Sequence, residues 1–167
     1  DGVLNQGQEL KIMGTDQLVK IEKIIYGGKE VSHVEKNSCI MVWLSNEVDL
    51  ARGDILLNKD SRLKASSSLT VNIAWLDRDA FNPKKKYILR QGTTETFAKL
   101  TVDSKIDLET LENYKSSEMG MNEIGSATLK LAKPILNDGY TSINKLGALV
   151  LIDPITHQTS AALMIKG

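Results

Sequence analysis

Asn58-Lys59-Asp60 carries the opening residues of the guanine-reading N-K-x-D signature, whose final aspartate accepts hydrogen bonds from the base edge. Here the fourth position is Ser61. The chain nowhere spells G-x-x-x-x-G-K-[ST], the loop whose backbone N–H groups wrap phosphates while its lysine offsets their charge. Arg52-Gly53-Asp54 spells a cell-adhesion tripeptide, but Ala51 before it and Ile55-Leu56-Leu57 after it make it a turn or bulge feeding a strand. His33 and His157 have no carboxylate or thiol at metal-ligand spacing and belong on surface loops. Cys39, beside Ile40, Met41 and Val42, reads as a buried, inert thiol. Ser66-Ser67-Ser68 has no general base placed by any pattern and reads as linker. Lys84-Lys85-Lys86 with Tyr87 offers charge and a stacking ring, the ingredients of a phosphate or RNA contact, but such a run is ordinarily a solvated loop. Glu123 reads as a polar turn before a strand. No catalytic, cofactor-binding or metal-ligating residue is assigned to this chain.

The elements that would position these groups are strands. In the first part, Val3 to Gly7 leads into Leu10 to Met13, and Gly14-Thr15-Asp16 turns the chain into Gln17 to Tyr26. That segment is a half-buried strand with Val19, Ile21 and Ile25 on one face and Lys23 interrupting. Gly27-Gly28 is a turn, Cys39 to Leu44 a largely apolar strand, and Leu50 to Leu57 a strand interrupted at Arg52-Gly53-Asp54. About four or five strands close a barrel poorly, so this first domain is expected to be truncated, with an open sheet edge.

The polar stretch Asn58 to Ser68 holds the domain boundary, placed between residues 1–62 and 63–167. Beyond it, Leu69, Val71, Ile73 and Trp75 alternate with Thr70, Asn72 and Ala74, the pattern of a strand with one buried face. Asp77 to Lys86 is a charged loop. Tyr87 to Arg90 and Thr94 to Asp103 form a hairpin turning near Gln91-Gly92. Asp107 to Leu111 allows one helical turn capped by the Asp107 side chain. Ala127, Leu129 and Leu131 face one way along a strand that ends where Pro134 removes a ladder donor. Asn137-Asp138-Gly139 is a turn. Ala148 to Ile152 is a continuous apolar run, read as a strand buried on both sides and stopped by Asp153-Pro154. Ala161 to Ile165 is its hairpin partner. The fold class is all-β, two consecutive antiparallel β-barrels with the first truncated and the second complete.

Composition bounds the function. The 167 residues are 41% hydrophobic, enough for a core, and 21 Lys and Arg balance 21 Asp and Glu, so no global charge draws the chain to nucleic acid or anionic lipid. A single cysteine excludes an internal disulfide, and no apolar run approaches the roughly 20 residues that span a bilayer. A reduced, cytoplasmic protein is expected.

Several short stretches also carry a resemblance. Asn122-Glu123-Ile124-Gly125, Lys133-Pro134-Ile135, Asp138-Gly139-Tyr140, Gly147-Ala148, Ile152-Asp153 and Ala161 to Ile165 resemble the C-terminal barrel of the GTP-binding large subunit of bacterial sulfate adenylyltransferase. Arg52 to Leu56, Asn82 to Tyr87 and Thr110-Leu111-Glu112 follow the order of the same family, which is related to the elongation factor Tu-like translational GTPases. The resemblance implies that residues 1–62 and 63–167 correspond to the second and third domains of such GTPases. It implies a non-catalytic region, with GTP and magnesium bound by an N-terminal domain upstream of Asp1. Adenylyl transfer from ATP to sulfate would be carried by a separate small catalytic subunit. The expected partners are that small subunit and the chain's own GTPase domain, with no nucleic acid and no membrane. Glu109 and Lys145 depart from the family at surface or turn positions. A tRNA-binding barrel pair of a translation elongation factor is the main rival, and Asp153-Pro154 argues against it because a carboxylate there would repel phosphate. A free-standing β-barrel interaction module is the third reading. The coding sequence upstream of Asp1 is expected to hold a phosphate loop and a complete N-K-x-D.

Overall fold

A computed structural model describes residues 2–15, 17–61, 63–140 and 144–166 and divides the chain into two compact units, Asp1–Arg62 and Leu63–Gly167. In the first unit the strands are β1 (Leu4–Asn5), β2 (Glu9–Ile12), β3 (Leu18–Tyr26), β4 (Lys29–Val31), β5 (His33–Val34), β6 (Met41–Leu44) and β7 (Leu56–Asn58). The main sheet runs β4-β3-β2-β7, β6 also pairs β3, and β1 pairs β5. Among the described residues β6 and β7 each have a single partner strand, so the ladder does not close into a ring. Gly27 and Gly28 both take positive φ, 58° and 78°, the two-residue turn whose twist suits a hairpin and which side chains resist. Leu10, Ile12, Val19, Ile21, Ile24 and Val34 form the core.

Three expectations for this unit change, the first being that the strand read over Leu50 to Leu57 is confined to Leu56–Asn58 as β7. The β3–β6 ladder shifts register between Ile21 and Lys23, so the buried face passes to Ile24 instead of Ile25. A bulge inserts one residue and reverses which side each later side chain takes. Cys39 lies ahead of β6 and is exposed, not buried, because the strand begins only at Met41. Gly14 does turn, with φ 82°, whereas Asp16 and the boundary residue Arg62 lie outside the described residues.

The second unit holds β8 (Lys64–Trp75), β9 (Tyr87–Gln91), β10 (Thr94–Ile106), β11 (Asn113–Lys115), β12 (Ile124–Asn137), the short helix α1 (Asn144–Gly147), β13 (Ala148–Ile152) and β14 (Thr159–Ile165). The antiparallel order β10-β12-β8-β14-β13-β9 returns to β10, a closed six-stranded barrel with β11 added along β10. Period-2 alternation sends Leu69, Val71, Ile73, Leu100, Leu129, Leu149, Leu151 and Leu163 inward, and each is buried.

Four readings are corrected here. Ser66-Ser67-Ser68 belongs to β8, since pairing with β12 begins at Lys64. β12 does not end at Pro134. The β8–β12 register shifts between Lys130 and Ile135, so the proline sits in the bulge, where no ladder hydrogen bond needs its missing N–H. β13 is buried on one face only, with Leu149 and Leu151 inside and Ala148 and Val150 outside, because the barrel wall has solvent behind it. Asp107–Leu111 forms a turn, not a helix: the Asp107 carboxylate accepts from the Glu109 and Thr110 amides at 2.9 and 3.0 Å, and Leu111 then takes φ 61°. Among the described residues no helix is long and apolar enough to cross a membrane.

Candidate functional site

The most strongly interacting groups of the second unit gather where the loop after β8 meets the loop after β13. Trp75 ends β8 with its ring fully buried, edge-on to Phe81 at 5.7 Å and to Tyr87 at 5.9 Å between centroids. Its indole Nε1 donates to the Asp79 carbonyl at 2.8 Å, so the polar end of a large apolar group is satisfied inside. This aromatic block fixes the 77–86 loop, and Lys85 on that loop extends to Asp153 in an ion pair.

Asp153 is buried, with side-chain exposure of 8%. One carboxylate oxygen accepts from the Ile155 and Thr156 amides at 2.7 and 3.2 Å, closing an Asx turn that Pro154 prepares. The hydrogen bond from Lys85 holds the Asp153 carboxyl below its ordinary pKa against the opposing pull of burial, with the two amides assisting. Lys85 is raised by the same bond. Burial raises the Tyr87 phenol, whose ring lies 5.8 Å from the Lys85 ammonium.

The sign of the pH effect follows from these directions. A depressed carboxyl stabilises the fold fully above its unfolded value of about 3.9, and that contribution is lost as pH falls through the lower folded value. A raised lysine contributes below about 10.4 and loses its contribution only as pH rises through the higher folded value. Asp153→Asn should therefore cost about 2 kcal/mol at neutral pH and make stability less steep in acid. Urea midpoints at neutral and acid pH check this, and an unchanged acid slope would remove Asp153 from the account.

A second charged centre lies at the bulged end of β10 and β12. Lys105 Nζ donates to both Glu123 oxygens at 2.8 and 2.9 Å, and Glu123 also accepts from the Gly120 amide at 2.6 Å. Lys105 lowers the Glu123 carboxyl and is itself raised. Together with Phe81, Pro83 and Met119 the pair lines a surface hollow of about 630 Å³. The pair is mutually neutralised and Glu118 also lines the hollow, so Lys105 offers no free positive charge there for a phosphate.

The sequence candidates are scattered. Asn58 Oδ1 accepts from the Asp60 amide at 3.3 Å and Lys59 pairs with Glu9 at 2.6 Å, so two of the three residues serve a turn beside β7. Arg52-Gly53-Asp54 is a turn in which Asp54 accepts from the Ala51 amide at 2.7 Å and Gly53 takes φ 105°. His33 and His157 are exposed and lie in different units. Among the described residues no group of three His, Cys, Asp or Glu side chains could hold a metal ion. Of the centres sequence reasoning missed, Asp153-Pro154-Ile155-Thr156 was legible as an Asx turn, whereas its partner Lys85 carried no local signal.

Residues 68–166 match the family described as GTP-eEF1A C-terminal domain-like. Over 167 residues the chain is 25% identical to sulfate adenylyltransferase subunit 1 of Psychromonas ingrahamii, with 99% of this chain and 36% of that protein aligned. It is 28% identical to the subunit 1 of Aliarcobacter butzleri, over 99% of this chain and 35% of that one. The bifunctional enzyme CysN/CysC of Rhodopirellula baltica is 27% identical, over 98% of this chain and 26% of its own length. The chain thus spans about a third or less of these relatives. In fold it resembles Sup35 complexed with GDP, with a TM-score of 0.88 at 14% identity over 99% of this chain and 41% of that one. It also resembles apo SelB of Methanococcus maripaludis, with a TM-score of 0.77 at 22% identity over 100% of this chain and 36% of that one.

Proposed function

The chain belongs to the GTP-eEF1A C-terminal domain-like family, and we propose that it is the barrel region of the GTP-regulated large subunit of a sulfate adenylyltransferase. In this reading it is non-catalytic and acts in the cytoplasm. It supports a GTPase domain that holds GTP and magnesium, and it presents surface to the small catalytic subunit that forms adenosine 5′-phosphosulfate from ATP and sulfate. The observation that carries the reading is the reach of the similarity: relatives called subunit 1 align with 98 to 99% of the chain, across both units. The chemistry is compatible, because the sequence contains no phosphate loop of its own.

A tRNA-binding role fits less well. The middle lysine of Lys84-Lys85-Lys86 is neutralised by Asp153, which puts a carboxylate where a phosphate backbone would approach. The test is calorimetry of the 167-residue chain against the small catalytic subunit of the same genome, with GTP and tRNA as separate titrants. A one-to-one complex with the small subunit and no heat from GTP is expected. Stoichiometric GTP binding, or tRNA binding without small-subunit binding, would overturn the reading.

A further inference from the structure

One stretch of the outer barrel wall carries charge that the second unit leaves uncompensated. On β10 the outward side chains are Glu95, Phe97, Lys99, Thr101 and Asp103, alternating with buried Thr96, Ala98, Leu100 and Val102. Lys99 is the register partner of Lys130 on β12, so two ammonium groups stand on neighbouring strands. Side chains so placed have Cβ atoms about 5 Å apart, and like charges there destabilise a sheet. Lys133, also exposed, follows three residues later in the bulge of β12, where its amide donates to the Thr96 hydroxyl of β10 at 2.9 Å. The outward carboxylates of β10 are engaged elsewhere: Glu95 accepts from Arg90 at 2.7 Å, and Asp103 accepts from the Thr128 hydroxyl at 2.9 Å. Among the described residues none of the three lysines has a carboxylate partner.

Beside this cluster, Phe97 is 54% exposed and is the register partner of Ile88 on β9, which is only half-buried. An exposed phenyl ring and an isoleucine in contact range, flanked by lysines, have the layout of a protein interface, with an apolar centre and a charged rim. Single-stranded nucleic acid is taken by grooves with successive stacking rings. A convex barrel wall with one ring is a poor example of such a groove.

The geometry points to the Phe97–Ile88 wall with Lys99, Lys130 and Lys133 as the docking surface for an acidic protein face, one that surrounds an apolar side chain with carboxylates. This inference rests on the proposed function, and the partner it names is the small catalytic subunit. Docking there relieves the Lys99–Lys130 repulsion and buries Phe97, which gives the binding a definite salt dependence.

The test compares the 167-residue chain with K99E/K130E/K133E, with Phe97→Ala and with the control Lys36→Glu in the first unit, all titrated with the small subunit at two salt concentrations. All four proteins should melt alike, because every altered side chain is exposed. The charge reversal should weaken binding about a hundredfold and remove its salt dependence, and Phe97→Ala should weaken it about tenfold. The control should bind as the parent does. Variants that bind like the parent would overturn the docking surface while leaving the proposed function standing. A parent chain that does not bind the small subunit would overturn both. Binding of a single-stranded oligonucleotide that the charge reversal abolishes, with small-subunit binding unchanged, would reassign the wall to nucleic acid and overturn the inference.

Discussion

Trp75→Ala should strip the second unit of a large part of its stability. Trp75 is 1% exposed, packs edge-on against Phe81 and Tyr87, and donates its indole N–H to the Asp79 carbonyl. Truncation removes the largest fully buried side chain of that core and strips both aromatic neighbours of their common partner. Buried tryptophan-to-alanine changes cost about 4 kcal/mol, set against a total stability of about 5 to 15 kcal/mol for a domain. For a unit of this size the melting temperature should fall by about 20 °C. The 77–86 loop should loosen as well, because Lys85 approaches Asp153 from a chain segment anchored on that ring. Near-ultraviolet circular dichroism follows the loss, since Trp43 of the first unit is the one tryptophan that remains. A drop of less than about 5 °C would mean that the barrel repacks over the void, contrary to the rigidity of close-packed cores.

Gly125→Ala should be nearly as damaging by the opposite mechanism. A Cβ at Gly125 would lie 2.0 Å from the Ser104 carbonyl oxygen and 3.0 Å from both Lys105 Cα and Met119 Cε. The ladder between β10 and β12 shifts register at this place, between Val102 and Ser104, and the bulge brings the two backbones together. The obstacle is backbone that the ladder holds, so one methyl group must displace a strand. The expected cost is about 3 kcal/mol, at the upper end for overpacking. Gly120→Ala is the control, because its Cβ would meet only the Glu123 carboxylate at 3.6 Å and the expected cost is below about 0.5 kcal/mol. Guanidinium midpoints of the two variants should differ at unchanged slope. Equal midpoints would remove the close approach at Gly125 from the explanation of the bulge.

What could be read from the sequence was whatever depends on near neighbours. Leu69, Val71, Ile73 and Trp75 announced β8 because a strand with one buried face repeats every second residue. The β9–β10 hairpin was legible from Gly92, which takes φ 57° between the partners Gln91 and Thr94. The last hairpin showed itself as two apolar runs either side of Asp153-Pro154. Register decided the rest. Whether Ile24 or Ile25 is buried depends on a bulge set by the pairing of β3 with β6, and Pro134 is harmless only because β12 slips against β8 around it. Neither fact leaves a trace in local periodicity. Lys85 and Asp153 lie 68 residues apart, so half of the charged centre was readable as a turn and its counter-ion was not. The lysine wall was invisible for the same reason, since only the register partner of Lys99 reveals that it faces Lys130.

The ring of the second unit is closed by its first strand meeting its last, with Trp75 opposite Ala161 and Val71 opposite Ile165. During synthesis on the ribosome β8 emerges early, and one of its edges has no partner until β14 clears the exit tunnel. Assembly from such distant contacts is slow, and the waiting edge is exposed to other nascent chains. Ser66, Ser67, Ser68, Thr70 and Asn72 on the outward or frayed positions of β8 keep that interval tolerable, since a polar strand is a weak template for aggregation. The unit therefore completes its fold late, after translation of its final strand, and chaperones that shield unpaired strands would act on it in that window.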